Sequence, residues 1–348
     1  MTKRLRQSAG QFLKRFAPLA GLLAGLALVL ETGGCASGRP ARLRVEHQVT
    51  AAPTGDPATW LSLKVVTYNV WGLPSWMSGA RSGRYPRIAR ELERLDPDVI
   101  LLQEAWTANA RKSAPVNGRW SIARAVGQHT FFQQSGLVTL SRLPIIGGEF
   151  YPFSRAAFPD RFVNKGVLKV TVRLPGGQVL NIWNVHLQDG GSPEIRYSQI
   201  REVESHVLAA EDGQIADLVG GDFNCTPESP FCRELADCVG PSVQQLGGGE
   251  PFVTWDGLSA NAGAGQTLDY IFIRGRNTLQ NLRAASRVAF AAASLQQRLS
   301  DHLGIEADMS LDLRPILAGT IGGPLLKETR LNALTATQSA YAGSDSGN

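Results

Sequence analysis

An apolar run in the second half of the chain ends in residues that could bind a metal ion or assist hydrolysis. In the stretch LVGGDFNCTPESP (residues 218–230), two glycines precede Asp222, and Asn224 follows two positions later. Because alternate residues of an extended chain point the same way, this carboxylate and this carboxamide are expected to face one direction together. Asp, Asn and Gly are also ordinary turn residues, so the stretch taken alone favours a plain turn.

Other apolar runs also carry carboxylates, carboxamides or imidazoles at their ends. Those residues are Asn69, Glu104, Asn184, His186, Asp269, Asp301 and His302. Polar groups at buried strand ends must be paired or bound to metal, because an unpaired buried charge is costly. Their repetition predicts a shared pocket. Such groups suit hydrolysis of a phosphate ester assisted by Mg²⁺, which takes oxygen ligands and keeps several waters. No serine elbow, P-loop or dinucleotide-binding motif indicates a different chemistry.

The runs that present these groups read as β-strands separated by helical stretches. They are LKVVTYNV, DVILLQE, GLVTLS, GVLKVTVRL, QVLNIWNVHL, IADLVGGDFN, LDYIFIRG and GIEADMSL. Several are apolar on both faces, which is typical of strands covered by a layer on each side. Helical spacing predicts helices over residues 85–95 and 192–211. The pattern predicts one α/β domain over residues 62–312.

The first 34 residues read as an export signal. A basic segment precedes an apolar stretch of 14 residues, which is shorter than the ~20 residues of a membrane span. Small residues then precede Cys35, as in bacterial lipoprotein signals, although Thr32 stands where those signals usually have Leu. We therefore expect an exported cell-envelope lipoprotein, in the outer membrane or periplasm, with Cys35 lipidated. Ordinary cleavage with secretion, or an uncleaved anchor, are the alternatives.

The positive charge of the chain is concentrated in that signal. Residues 1–34 contain five of the 35 basic residues and one of the 30 acidic residues, so their removal leaves 30 and 29, a net charge of +1. A nearly neutral mature surface shows no basic stripe for phosphate backbones. Residues 35–61, rich in Pro, Ala, Gly and Thr, read as a tether. Residues 313–348 read as a C-terminal tail that is partly disordered.

Three cysteines remain beyond Cys35, namely Cys225, Cys232 and Cys238. They can form at most one disulfide, and the sequence leaves its pairing open. No His follows them at the spacing of a zinc site.

Seven segments resemble, in order, the motifs of the endonuclease/exonuclease/phosphatase superfamily. They are TYNVWGLP, DVILLQEAW, SGLVTLSRLPI, NVHLQ, GDFNCTP, TLDYIFI and LSDHLGI, and they cover the chain from about Leu63 to Asp308. The resemblance implies a four-layer α/β sandwich. In that fold two mixed β-sheets pack face to face, helices lie outside, and the site forms where the sheets open at one end. With all seven motifs present, the plain-turn interpretation of Asp222 and Asn224 is abandoned.

Three details resemble the neutral sphingomyelinase-like branch of that superfamily: FVNKGVL (residues 162–168), HLQ after His186, and GDFNCTPES. They imply an exported, Mg²⁺-dependent phosphodiesterase that hydrolyses sphingomyelin or a related phospholipid to phosphocholine and ceramide at a membrane surface. The near-neutral mature charge does not favour nucleic acid as a partner, and no protein partner is expected. An extracytoplasmic nuclease or sugar-phosphate phosphatase is the second hypothesis, and a non-catalytic surface lipoprotein is the third.

The resemblance also implies a role for each polar residue. Glu104 is the expected principal Mg²⁺ ligand, with Asn69 and Asp301 completing or supporting its surroundings. His302 is the expected general base that takes a proton from the attacking water, and Asp269 would fix its tautomer. Asp222 is expected to orient the water or to bind a second cation. Asn224 and His186 are expected to donate hydrogen bonds to the transition state. Lys165 and Asn164 are expected to contact the substrate.

Some of these residues have a structural alternative. Asn69 and Asn184 could cap or bridge backbone groups, and Lys165 could be a solvated surface lysine. The aromatic stretch FYPFSRAAFPDRF (residues 150–162) is expected mainly in the core, with contact to a bilayer interface as the alternative.

Overall fold

A computed structural model of the protein describes ten stretches of the chain. They are residues 42–46, 60–74, 83–126, 134–190, 193–210, 216–247, 252–257, 265–275, 282–290 and 297–312. The expected signal peptide, Cys35 and the C-terminal tail lie outside the described residues. No helix within the described stretches is long and apolar enough to cross a membrane.

Seven strands form the larger sheet. They are β1 (Arg42–Glu46), β2 (Trp60–Asn69), β3 (Val99–Gln103), β4 (Ser121–Val126), β5 (Val138–Ser141), β11 (Arg283–Ala289) and β12 (Gly304–Asp312). Their order across the sheet is β1-β4-β5-β3-β2-β12-β11. Strands β2 and β3 run parallel, while the other neighbours are antiparallel. The larger sheet is therefore mixed.

Five strands form the smaller sheet. They are β6 (Ile145–Pro152), β7 (Gly166–Arg173), β8 (Val179–His186), β9 (Ala216–Asp222) and β10 (Asp269–Gly275), in the order β10-β9-β8-β7-β6. Only β8 and β9 are parallel among these pairs, so this sheet is mixed as well.

Four α-helices occur in the described stretches, α1 (Arg84–Leu95), α2 (Pro193–Ala209), α3 (Pro230–Val239) and the short α4 (Val243–Leu246). One apolar core lies between the two sheets and includes Leu101 and Ile182. A second core joins the larger sheet to α1 through Ile88 and Leu102, and a third joins the smaller sheet to α2 and α3 through Val203 and Leu235. The result is the predicted sandwich of two sheets with helices outside.

Strand β3 shows why several strands are apolar on both faces. Val99 and Leu101 face the core between the sheets, whereas Ile100 and Leu102 face the core under α1. Since neighbouring side chains of a strand point to opposite faces, both sets must be apolar to be buried.

All eight predicted strands are present, and the two predicted helices correspond to α1 and α2. The elements that the sequence did not predict are β1, β4, β6, β11, α3 and α4. Strand β1 lies inside the predicted tether 35–61, where Arg42–Glu46 pair antiparallel with β4. That part of the tether assignment is wrong, because Leu43 packs against the core between the sheets.

The aromatic stretch after Ile145 is mostly internal. Phe150 is buried, Tyr151 stacks on His206 with ring centroids 4.0 Å apart, and Phe153 packs against the core of the smaller sheet. Phe158 is the exception, with 46% of its surface exposed. Cys225, Cys232 and Cys238 are free thiols, the first two buried.

One buried carboxyl group of α2 predicts a pH-dependent stability. Glu204 is 2% exposed and lies 2.7 Å from Nη1 of Arg201. Burial raises its pKa to about 7 despite the opposing charge of Arg201. The folded protein therefore holds a proton that the unfolded chain releases near pH ~4.3. The free energy of unfolding consequently falls as the pH rises from the unfolded to the folded pKa.

We expect Glu204→Gln, which cannot ionise, to remove this contribution. The variant should be more stable than the wild type at pH 8 by roughly 1–3 kcal/mol, and this advantage should vanish near pH 4. Urea unfolding at several pH values measures the difference. The exposed Glu91, paired with Arg94 on the surface, supplies the control Glu91→Gln. Parallel stability curves for the wild type and Glu204→Gln would contradict this prediction.

Candidate active site

The polar strand ends meet at one edge of the sandwich because of strand direction. β2 and β3 run parallel, so Asn69 and Glu104 follow them at the same edge of the larger sheet. β8 and β9 also run parallel, and their last residues, His186 and Asp222, stand opposite each other. Strand β10 runs the other way and begins with Asp269 opposite Asp222. Three polar residues therefore form one row across the end of the smaller sheet.

His302 reaches this row from the larger sheet. It lies just before β12, which is antiparallel to β2, so the start of β12 lies at the edge where β2 ends. Nδ1 of His302 is 2.9 Å from Oδ2 of Asp269, and Nε2 is 3.6 Å from Oδ2 of Asp222. Nε2 of His186 is 3.6 Å from the same Asp222 oxygen. Each of these four residues is at least 96% buried.

Asn69 connects the two carboxylates of the site. Its Nδ2 donates to Oε1 of Glu104 at 3.2 Å and to Oδ2 of Asp222 at 2.9 Å. Its Oδ1 accepts a hydrogen bond from the backbone N–H of Trp71 at 2.9 Å. In this orientation Asn69 supports the carboxylates with its amide nitrogen, while its oxygen is used within the protein. The predicted pocket therefore joins residues of both sheets.

The backbone is held in an unusual conformation around these residues. Trp71, Glu104 and Asn224 have φ values of +50°, +60° and +49°, in the left-handed region that side chains other than glycine rarely adopt. Gly72 is required beside Glu104, because a Cβ at this position would lie 1.6 Å from the Glu104 carbonyl oxygen. Backbone strain of this kind is concentrated at functional sites.

Burial and neighbouring charges shift the protonation of the site. Burial raises the pKa of Asp222 to about 7, although the charge of His302 opposes the shift. For His302, burial alone lowers the pKa, but the carboxylates of Asp269 and Asp222 outweigh it and raise the pKa to about 10. Both groups therefore hold protons more strongly than usual when no cation is bound.

The donor atoms fit a hard divalent cation. Ligand atoms of Asp222, Asp269 and His302 lie within 4.8 Å of one another, the one such cluster of three acidic, His or Cys residues in the described stretches. Oδ1 of Asp269 is buried and has no hydrogen-bond partner there. Glu104, the predicted metal ligand, lies beside this cluster through Asn69. The carboxylate oxygens suit a hard cation such as Mg²⁺, whereas an imidazole nitrogen also suits Zn²⁺ and other transition metals.

Asp301, also predicted as a metal residue, is 3% exposed, and its Oδ1 lies 3.3 Å from Oγ of Ser300. It adjoins the site through that serine and is not a member of the Asp222 cluster. Asn224 donates its backbone N–H to Oδ1 of Asp222 at 3.0 Å and its Nδ2 to the carbonyl of Leu187 at 3.1 Å. Both residues therefore belong to the surroundings of the row.

Lys165 is buried, so the alternative of a solvated surface lysine is wrong. Its Nζ lies 2.7 Å from Oδ2 of Asp160 and donates to the carbonyl of Leu187 at 3.0 Å. It is 4% exposed, and its charge lowers the pKa of Asp222. Asn164, the second predicted substrate residue, is half-buried, and its backbone N–H donates to the carbonyl of Gln134 at 3.4 Å.

Asn184 has the bridging role that was its structural alternative. Its Nδ2 donates to the carbonyls of Leu102 and Val138, both at 3.1 Å, and its Oδ1 accepts from Nε2 of Gln103 at 2.8 Å. These bonds join the smaller sheet to the larger one behind the row of His186, Asp222 and Asp269.

Two residues of the site were not singled out by the sequence, although both lie in its motifs. Trp106, in DVILLQEAW, stacks on His186 with ring centroids 6.0 Å apart, and its buried Nε1 has no partner among the described residues. Ser300, in LSDHLGI, donates its Oγ to the carbonyl of Asn69 at 2.7 Å. Their types alone gave no signal, because a Trp and a Ser are common structural residues.

A cavity of about 380 Å³ lies elsewhere, on the outer face of β6 and β7 at the end of α2. Tyr151, Lys169 and His206 contribute to its walls. None of the residues of the polar row lines it, so it is separate from the candidate active site.

The Endonuclease/Exonuclease/phosphatase family matches residues 66–302. This range begins within β2 and ends at His302, so it includes every strand end that contributes to the polar row. The chain belongs to this family, which comprises phosphoric ester hydrolases. The resemblance drawn from the seven motifs is confirmed, and with it the fold.

Relatives in the family carry names of lipid-cleaving enzymes. A Drosophila melanogaster protein provisionally named neutral sphingomyelinase is 25% identical over 272 residues, covering 72% of this chain and 61% of that protein. A Leptospira interrogans protein named sphingomyelinase C is 25% identical over 279 residues, covering 70% of this chain and 49% of that protein. The chain thus matches about half to three fifths of the length of these relatives.

Solved structures share the fold. A Danio rerio TDP2 complexed with a single-strand DNA product aligns with a TM-score of 0.58 at 19% identity, covering 71% of this chain and 98% of that one. A variant of Staphylococcus aureus beta toxin with bound magnesium ions aligns with a TM-score of 0.52 at 19% identity, covering 71% and 99%. At these identities the likeness shows the fold alone.

The raised pKa values of Asp222 and His302 predict that a divalent cation displaces protons. A bound cation favours the Asp222 carboxylate and disfavours the His302 imidazolium, so the pKa of each group must fall on binding. We expect Mg²⁺ to bind more tightly as the pH rises from 6 to 8. Calorimetric titrations in buffers of different ionisation enthalpy should show proton release near pH 7.

Asp222→Asn removes one of the two proton donors and should reduce the number of protons released. The control Asp308→Asn alters a half-exposed carboxylate of β12 and should leave the number unchanged. Cation binding with no net proton release in the wild type would show that the two groups are not protonated as described.

Proposed function

We propose that the protein is an exported, Mg²⁺-dependent phosphodiesterase that hydrolyses sphingomyelin or a related phospholipid to phosphocholine and ceramide. The single observation that carries the proposal is the buried cluster of Asp269, His302 and Asp222 beside Glu104, on the fold of a family of phosphoric ester hydrolases. The names of the relatives support a phosphosphingolipid as substrate.

His302 is the residue best placed to activate water. In the neutral ring, Nδ1–H donates to Asp269, which leaves Nε2 as the acceptor and directs it toward Asp222. A water that contacts both Nε2 and Asp222 Oδ2 gives its proton to Nε2 while its oxygen attacks phosphorus. The bond between phosphorus and the ceramide oxygen breaks, that oxygen takes up a proton from solvent, and His302 afterwards returns its own proton to solvent. Asp269 stabilises the imidazolium that results.

The phosphate would lie within reach of further groups at the same edge. His186 in the row and Asn224 beside it carry N–H groups that are suited to the charge that develops on the phosphoryl oxygens. When Mg²⁺ is bound, it supplies a positive charge that polarises a phosphoryl oxygen and stabilises the leaving oxygen. Glu104 would hold it, with Asn69 keeping the Glu104 carboxylate in place.

A lipid substrate is supported by the loop between β6 and β7. This loop exposes Phe158, and its last residue, Lys165, pairs with Asp160 and donates to the carbonyl of Leu187, to which Asn224 also donates. An exposed aromatic residue in this loop suits contact with an apolar interface. The near-neutral charge beyond residue 34 also favours a lipid over a polynucleotide. Export and lipidation of Cys35 belong to the proposal on the pattern of residues 1–35 alone.

A substrate panel tests the proposal. Protein beginning at residue 36 is assayed with four substrates, each with Mg²⁺ and with a chelator. They are sphingomyelin vesicles, phosphatidylcholine vesicles, plasmid DNA scored for nicking, and inositol phosphates. We expect phosphocholine release from sphingomyelin that stops on chelation and returns when Mg²⁺ is added in excess. Plasmid nicking without phosphocholine release would favour the nuclease on this fold instead. Inactivity on the whole panel would favour the third hypothesis, a non-catalytic surface lipoprotein.

His302 and Asp269 are expected to act on turnover rather than on substrate binding. His302→Gln should lower kcat by roughly 100- to 10,000-fold, because general-base catalysis contributes that range. Asp269→Asn should also lower kcat, since the ring is no longer held by a carboxylate, while KM stays within about threefold in both variants. Initial rates over a range of substrate concentration separate the two constants.

His206, which stacks on Tyr151 outside the row, provides the matched control His206→Gln with unchanged kcat. A His302→Gln variant that turns over within threefold of the wild-type rate would remove His302 from the proposed role.

A further inference from the structure

Arg84, the first residue of α1, carries a buried cation that binds backbone carbonyl groups of two separate segments. Its side chain is 6% exposed. Nη1 donates to the carbonyl oxygens of Val70 and Leu299, each at 2.6 Å, and Nη2 donates to that of Trp71. The guanidinium carbon lies 4.3 Å from the ring centroid of Tyr85. Arg84 and Leu299, which this hydrogen bond joins, are 215 positions apart in the sequence.

The position of this arginine is unfavourable for the helix itself. The N-terminus of an α-helix carries partial positive charge, so a cation in the first turn is repelled. α1 has no acidic residue in its first turn to offset this repulsion. The benefit of an arginine at this position therefore comes from its contacts outside the helix.

The segments that Arg84 joins are those that carry the active-site residues. Val70 and Trp71 directly follow Asn69, and Leu299 directly precedes Ser300, which is two residues before His302. Ser300 Oγ donates to the carbonyl of Asn69 at 2.7 Å and lies 3.3 Å from the His302 backbone nitrogen. Arg84 and Ser300 therefore form two adjacent links between the segment with Asn69 and the segment with His302.

Trp71 transmits the effect of Arg84 to the Asn69 amide. Its backbone N–H donates to Oδ1 of Asn69, and its φ is +50°, a conformation that has to be held by its surroundings. Arg84 binds the Trp71 carbonyl, and the guanidinium carbon lies 5.4 Å from the centroid of the Trp71 ring. With Trp71 fixed, the Asn69 nitrogen is directed toward Glu104 and Asp222.

We propose that Arg84 is a positioning residue that joins the segment after Asn69 to the segment before His302. It thereby sets the place of His302 relative to Asn69 and, through Asn69, relative to Glu104. The proposal rests on the proposed hydrolytic function for its effect on turnover, but not for its effect on structure. The planar guanidinium is needed because it directs several N–H donors at carbonyls in fixed directions. A lysine ammonium is a point charge on a flexible stem and cannot hold all three carbonyls in this geometry.

The test compares Arg84→Lys with the wild type and with a matched control, Arg142→Lys. Arg142 also lies over an aromatic ring, that of Trp120 at 5.1 Å, but it follows β5 at the edge of the sheet opposite the site. Hydrogen–deuterium exchange is measured on peptides covering residues 65–74 and 297–304, together with kcat and KM for the best substrate of the panel.

We expect exchange in those two segments of Arg84→Lys to rise roughly tenfold while peptides of α2 and β7 exchange as in the wild type. kcat should fall roughly 10- to 100-fold, as small displacements of catalytic groups do, with KM within about threefold. In an Arg84→Ala variant, millimolar guanidinium should restore part of the wild-type exchange in the two segments and part of the wild-type kcat. Arg142→Lys should match the wild type in all readings.

Two results would overturn the proposal. One is wild-type exchange in both segments of Arg84→Lys, and the other is a uniform rise over the whole chain, which would assign Arg84 to general stability. If the wild type hydrolyses nothing in the panel but the local exchange changes as expected, the proposed function fails and the positioning role stands.

Discussion

The side chain of Asn69 joins the two sheets at the edge where the polar strand ends meet. It donates to Glu104 of the larger sheet and to Asp222 of the smaller sheet. Two carboxylates buried near each other repel strongly, because the interior screens charge far less than water does. A neutral amide that donates to both lowers this cost without cancelling their affinity for a cation. The remaining features of the site preserve this arrangement.

A second polar bridge lies one step deeper between the sheets. Asn184 of β8 binds the carbonyls of Leu102 and Val138 and accepts from Gln103. Apolar packing between sheets is non-directional, so it does not by itself fix how one sheet lies along the other. Buried hydrogen bonds with specific partners do, because any shift leaves them unsatisfied in a low dielectric. Asn184 thus sets the registry from which Asn69 can reach Asp222.

The sequence predicted the central strands and the meeting of polar strand ends at one edge, because both follow from strand direction. Apolar runs such as β3 face a core on each side, and polar groups at the ends of parallel strands meet at one edge. Three of the four edge strands, β1, β6 and β11, were missed because they are partly exposed and lack such a run, as the alternating exposure of β11 shows. The interior strand β4 was missed as well. The directions of side chains could not be predicted either. Whether Lys165 is buried, and whether the Asn69 nitrogen or oxygen faces Glu104, depends on contacts between distant segments.

Charge balance explains why Arg84, which has no carboxylate partner among the described residues, is compatible with this edge. Burial raises the pKa of Tyr85, the charge of Arg84 lowers it and that of Glu104 raises it, so both charges act on this ring. The row itself is rich in acidic groups, and without a cation it compensates by binding protons at Asp222 and His302. We expect a bound cation to replace those protons and to leave His302 neutral, which is the state that can accept a proton from water. Burial therefore has two linked effects. The loss of solvation destabilises the carboxylates, so protons bind to the site, and for the same reason cation binding is expected to release protons.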